Sequence, residues 1–249
     1  MRAILTYHAL DPTPSAISID EAAFRRHVTW LASGAVRVCS LPDLLLPAAG
    51  VEAVALTFDD GFVSFAERAW PILRDHGLPV TVFVVTDHVG GTNAWGGRPS
   101  PGVPTLPLMD WHALGRLAEA GVALGSHTRR HRDLRRATAV ELEDELAGSA
   151  ERIARETGHR PSSVAYPYGL VDPAAAAAAA RLYARACTTA FRPLAPGDDP
   201  HRLPRLEACY FRGPGRLEQW GSRGFRRYLR IRAAGRAVRR VAAALGNRA

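Results

Sequence analysis

Apolar and polar positions along the chain alternate between two rhythms. Short β-branched or apolar runs occur at Ala3–Thr6, Val54–Phe58, Val80–Val85, Val122–Gly125, Ser163–Tyr166, Ala186–Thr189 and Leu203–Leu206, and their length and make-up predict strands. Between them lie helix-length segments, Phe65–His76, Asp110–Ala120, Ala139–Thr157 and Pro173–Ala184. Asp110 stands where an N-cap is needed, and Asp172-Pro173 joins a capping carboxylate to a proline at the first helical position. The alanine run Ala174–Ala180 is simply a good helix former. Strand–helix alternation of this kind predicts an α/β fold with a parallel sheet, doubly wound or closed into a barrel. The Gly- and Pro-rich stretch from Gly90 to Pro107, which holds Trp95, has the length of a functional or mobile loop.

Composition narrows this picture. At 249 residues, 47% apolar and 22% charged, the chain has enough core for one large domain and is neither disordered nor fibrous. No run approaches 18 apolar residues, so no membrane-spanning helix is expected. The start of the chain turns polar at Tyr7, His8 and Asp11, so no secretory signal is expected either, and the expected location is cytoplasmic. Cys39, Cys187 and Cys209 are odd in number and widely spaced, which predicts buried thiols in a reducing compartment rather than disulfides or a zinc cluster.

Charge is concentrated at one end. From Arg216 onward there are ten arginines and one acid, Glu218, while the rest of the chain holds 22 arginines and 23 acids. The division expected is a body over 1–212 and a basic tail over 213–249. In that tail Ile231, Ala234, Val238, Val241 and Leu245 recur at steps of three and four, with Arg232, Arg236, Arg239 and Arg240 opposite. This predicts a basic amphipathic helix, either packed on the body with its arginines solvated or lying on an anionic membrane through residues 225–245. Phe225, Tyr228 and Leu229 are out of phase with the stripe, which predicts a start or kink near Arg230. No nucleic-acid recognition motif is present, so no specific nucleic-acid partner is expected.

Two motifs carry chemistry. Thr57-Phe58-Asp59-Asp60-Gly61 follows a predicted strand, and adjacent carboxylates at a strand end repel unless a cation lies between them. Alone, the motif also reads as an Asp-Asp-Gly turn. Ser126-His127-Thr128-Arg129-Arg130-His131 follows another strand, and histidines at i and i+4 of a helical turn can share one zinc. Two histidines and a carboxylate make a catalytic zinc set with a position left for water.

Taken together, these motifs resemble the polysaccharide deacetylase family, the NodB-homology or carbohydrate esterase family 4 enzymes, over roughly Ile4 to Leu206. The resemblance implies a distorted (β/α) barrel of about seven strands and metal-dependent removal of N-acetyl groups from an amino sugar in a polysaccharide or a lipid-linked intermediate. It implies Asp60, His127 and His131 as metal ligands, zinc foremost with cobalt or another divalent ion as alternatives, and Asp59 as general base. Val164-Ala165-Tyr166-Pro167-Tyr168-Gly169 resembles the third family motif, in which the backbone N–H at Tyr168 faces the oxyanion. Two departures stand out. Ala165 replaces the arginine that steadies the base in many members, and the late Leu-x-His that supplies the general acid is missing. Tyr7-His8 instead resembles a circularly permuted branch typified by exopolysaccharide deacetylases, which implies His8 as general acid, with His201 the alternative. Arg205 is expected to replace the missing arginine beside Asp59, a structural ion pair being the competing reading. Trp95 and Trp111 are candidates for stacking on a sugar ring. Deacylation of another small N-acyl metabolite and non-catalytic glycan binding on the same fold are the alternatives in function.

Overall fold

The computed structural model describes residues 1–46 and 51–246, with side chains described through Val238. Among the described residues ten strands form: β1 (Arg2–Tyr7), β2 (Ala9–Leu10), β3 (Ser18–Ile19), β4 (Arg37–Val38), β5 (Ala53–Phe58), β6 (Val80–Val84), β7 (Ala123–Ser126), β8 (Ser163–Ala165), β9 (Arg185–Cys187) and β10 (Leu206–Glu207). The helices are α1 (Glu21–Ala32), α2 (Leu41–Leu44), α3 (Trp70–Asp75), α4 (Trp111–Glu119), α5 (Ala139–Thr157), α6 (Pro173–Leu182) and α7 (Arg223–Gly246).

The main sheet is parallel and ordered β10-β1-β5-β6-β7-β8-β9. β4 pairs with the start of β5 at Ala53, while β6 pairs with its end from Leu56. The two ends of the sheet are drawn together by one segment. Leu203 bridges Cys187 on β9, and Leu206 then pairs with Leu5 on β1. The result is the distorted (β/α) barrel expected from the sequence.

Local chemistry accounts for the elements. Asp110 and Asp172 cap α4 and α6 as predicted, each accepting the N–H three residues on, at 2.7 and 2.8 Å. α5 begins with a capping box between Thr138 and Glu141 and ends on Gly158 at φ 74°. The predicted helix Phe65–His76 forms in two parts, a π turn over Phe65–Ala69 and then α3. Pro71 near the start of α3 has no N–H to offer the regular ladder, which favours the wider turn before it.

The tail differs from the expected phase. α7 starts at Arg223, not near Arg230, and its first turns bury Phe225 and Leu229 in the same core cluster as β1 and α1. Arg232 and Arg236 face the barrel, with their guanidinium groups over Tyr210, Tyr228 and Phe191. Ile231 and Val238, from the predicted stripe, are 60% and 69% exposed. Two early aromatic and aliphatic side chains outweigh a longer but weaker stripe, because burying large apolar side chains yields the greater transfer free energy. Arg239, Arg240, Val241 and Leu245 lie outside the described side chains. Among the described residues, no helix is long and apolar enough to cross a membrane.

Candidate active site

Side chains from the C-terminal ends of β1, β5, β7 and β8 converge, as active-site groups do in α/β barrels. Asp59 and Asp60 leave β5 together. The Asp59 N–H donates to Tyr7 O at 2.9 Å, continuing the β1–β5 pairing, while Asp60 turns out at φ 71°. That left-handed backbone sends the two carboxylates to different partners, at a conformational cost Asp tolerates better than most residues.

Asp59 faces Arg205. The guanidinium donates to both carboxylate oxygens, at 2.6 Å to Oδ1 and 2.7 Å to Oδ2, with both residues buried. Arg205 also donates from Nε to Thr188 O at 2.9 Å and lies over the Phe83 ring. It sits between the Leu203 bridge and β10, inside the segment that closes the barrel. Burial alone would raise the Asp59 carboxyl, but the Arg205 charge and hydrogen bonds, with His127 and His8, together outweigh it and hold the group well below the usual carboxylate range.

Asp60, His127 and His131 form a buried group whose ligand atoms lie within 4.8 Å of one another. Asp60 Oδ1 is 3.5 Å from His127 Nε2 and 3.6 Å from His131 Nε2. His127 Nδ1 lies 2.7 Å from Ala165 O, and a carbonyl only accepts, so the proton is on Nδ1 and Nε2 offers its lone pair. Asp60 Oδ1 and His131 Nδ1 are buried with no hydrogen-bond partner among the described residues. Burial pushes the Asp60 carboxyl up, the penalty of an anion still short of a counter-charge. The donor set, the lone pair on His127 and the orphaned Asp60 oxygen all fit a divalent cation.

The His-x-x-x-His spacing is not closed by a helical turn, as the sequence suggests. Thr128 and His131 adopt φ 66° and 56° in a loop. What holds that loop is Glu145, a residue the sequence reading missed. It is fully buried on α5, and its Oε2 accepts the N–H groups of Arg129 and Arg130 at 2.9 and 3.0 Å. Its signal is visible in retrospect: a carboxylate in the buried stripe Leu142, Leu146, Ser149, Ile153.

The remaining candidates divide. His8 Nε2 is 3.8 Å from Asp59 Oδ2 and partly exposed. Tyr168 stands at φ 58° with its ring edge-on to His131 at 4.7 Å. Gly169 after it runs so close to the segment following β9 that a Cβ would fall 2.3 Å from Thr189 N, so only glycine fits. Trp95 stacks on His131 at 4.3 Å, and its loop is pinned by Asn93, which bonds Pro104 O and Leu106 N. Trp111 is not brought to this group; it packs against the core with the Arg152 guanidinium over its ring. His201 is likewise engaged elsewhere, its Nε2 3.0 Å from Tyr183 O at the end of α6.

A family model described as polysaccharide deacetylase matches residues 48–187. The chain belongs to the polysaccharide deacetylase family. That family is generally metal-dependent, and Asp60, His127 and His131 are a group able to hold the ion. The poly-β-1,6-N-acetyl-D-glucosamine N-deacetylase of Staphylococcus epidermidis is 23% identical over 171 residues, covering 62% of this chain and 55% of that protein. The chain spans about half the length of the curated relatives it matches. Among solved structures, the Streptococcus pyogenes deacetylase PplD in complex with acetate aligns with a TM-score of 0.69 at 21% identity, over 83% of this chain and 91% of that one. IcaB from Ammonifex degensii gives 0.68 at 22%, over 83% and 92%. At that identity the likeness is one of fold.

Proposed function

We propose that the chain is a zinc-dependent deacetylase that removes N-acetyl groups from an amino-sugar polysaccharide or its lipid-linked intermediate. The observation that carries this reading is the Asp60–His127–His131 group set beside a separate carboxylate, Asp59, already neutralised by its own arginine. Asp60, His127 and His131 would hold a divalent ion, which when bound would supply Lewis acidity toward the acetyl carbonyl and lower the pKa of its water. Asp59, kept anionic by Arg205, takes the proton as water attacks the carbonyl carbon. Its Oδ2 lies toward His8, so base and acid flank one space. The Tyr168 N–H faces the developing oxyanion, a donor of a kind worth about 2.7–4 kcal/mol. His8 as imidazolium then protonates the leaving amine. Trp95 forms a wall against which a sugar ring can stack.

The three free cysteines favour a reducing, cytoplasmic setting. The exposed Ile231 and Val238 among arginines favour peripheral contact of α7 with an anionic membrane.

The test is metal content and acetate release from N-acetylglucosamine oligomers, measured on the wild type and the His127→Ala/His131→Ala variant. About one ion per wild-type chain, lost with turnover in the variant, is the expected result. A wild type that stays empty and inactive when zinc or cobalt is added overturns the hydrolase reading.

A further inference from the structure

Beside α7 runs a groove of about 370 Å³ that the deacetylation chemistry does not use. Its floor is apolar, formed by Phe191, Pro193, Leu229 and Ala233, and Arg192, Arg226 and Arg230 line its rim. That volume falls in the range of small-molecule sites. The three arginines are not equivalent. Arg192 is already neutralised by Asp198, with bonds of 2.8 and 2.7 Å. Among the described residues, no carboxylate lies within ion-pair distance of Arg226 or Arg230, and no acid follows Glu218 in the sequence. An apolar trough with two uncompensated guanidinium groups at its edge complements a molecule with an anionic head and a hydrocarbon tail. Guanidinium groups are well matched to phosphate.

The groove also adjoins the catalytic centre through one short run of contacts. The Phe191 ring on its floor lies under the Arg236 guanidinium, which donates to Thr189 O at 3.2 Å. Thr189 Oγ1 donates to Tyr168 O at 3.2 Å, and the Tyr168 ring meets His131. A ligand seated in the groove is thus separated from the metal-ligand group by the segment that forms the rim of the active site.

We propose that the groove binds a lipid phosphate, with the hydrocarbon chain on Phe191, Pro193, Leu229 and Ala233 and the phosphate between Arg226 and Arg230. The site stands independently of the deacetylase reading. The probes are dodecyl phosphate below its micelle concentration, inorganic phosphate and dodecanol, titrated calorimetrically into the full chain. Dodecyl phosphate is expected to bind at least tenfold more tightly than either fragment. Ala233→Trp, which fills the groove, and Arg226→Glu/Arg230→Glu, which reverses its charge on exposed positions, are each expected to weaken binding tenfold or more. Arg68→Glu/Arg74→Glu, the same charge change on α3 and the turn before it, is expected to leave binding within twofold. Equal binding of inorganic phosphate, no binding of dodecyl phosphate, or affinity unchanged in both groove variants overturns the proposal. Acetate release from a water-soluble oligomer by the wild type is measured in parallel. Release without dodecyl phosphate binding defeats the groove alone, and binding without release defeats the deacetylase reading alone.

Discussion

A carboxylate as buried as Asp59 stays an anion only while a cation remains on it. In Arg205→Ala the guanidinium goes and burial is left largely unopposed, so the Asp59 pKa rises and the proposed base is protonated over more of the working range. Two losses are expected. Acetate release should fall by about 10²–10⁴, the usual value of general acid–base catalysis, and stability should drop by about 3–5 kcal/mol, as when one partner of a buried pair is removed. Arg205→Lys keeps the charge but cannot donate to both oxygens, and should recover stability better than turnover. Wild-type turnover in Arg205→Ala, measured across pH, would remove Arg205 from the mechanism and leave a structural ion pair. Gly125 bears on the same pair from below. A Cβ there would lie 2.4 Å from the Phe83 ring, the ring beneath Arg205. Gly125→Ala should cost about 1–3 kcal/mol through overpacking, seen as a lower denaturation midpoint, and a midpoint equal to wild type would show that Phe83 has room to move.

At the level of elements, α5 does more than cover the sheet. Through Glu145 it fixes the backbone between His127 and His131, and so sets the separation of two candidate metal ligands it does not itself supply. Glu145→Gln leaves the shape but removes the charge from two accepted N–H groups and from the pair with Arg130. Metal affinity should fall about 10–100-fold, the typical effect of losing a group that orients ligands. Chelator competition measures this, and an affinity within twofold of wild type would mean the loop holds itself. Here the limits of the sequence are clear. Asp59-Asp60 and His127-x-x-x-His131 are legible because each is local and sits at the end of a strand with a strong apolar run. Glu145 is not, because only the folded contact separates a useful buried carboxylate from a solvated one. α1 escapes notice although Asp20 caps it and Phe24, Val28 and Leu31 recur at helical spacing and face the core. β4, at two residues, has too little periodicity to register, whereas the run Leu203–Leu206 is legible and forms as the Leu203 bridge and the start of β10. Arg205 can be guessed from an arginine missing at Ala165, but its reach to Asp59 depends on how the barrel closes.

Across the whole molecule, the two ends of the chain are joined at His27. Its Nδ1 is 3.0 Å from Tyr7 Oη on β1, and its Nε2 is 2.9 Å from Phe211 O, just ahead of the segment leading to α7. A carbonyl can only accept, so the Nε2 proton goes to Phe211 and the Tyr7 hydroxyl donates to Nδ1. Both ring nitrogens are therefore satisfied in the neutral form. Burial lowers the His27 pKa below its ordinary 6.5, and the Phe211 contact only partly offsets this. The unfolded chain thus binds a proton at this site at a pH where the folded chain does not. The stability held by neutral His27 is fully present above about 6.5 and is lost as pH falls from there toward the lower folded value. One such group changes stability by at most about 1.4 kcal/mol per pH unit. Urea midpoints at pH 7.5 and 5.5 should therefore fall on acidification in the wild type, and fall less in His27→Gln, whose amide does not titrate. Comparing the two proteins removes contributions they share, such as that of His131. If both midpoints move by the same amount, acid sensitivity arises elsewhere, and the bond between β1, α1 and the C-terminal segment does not depend on the protonation of this ring.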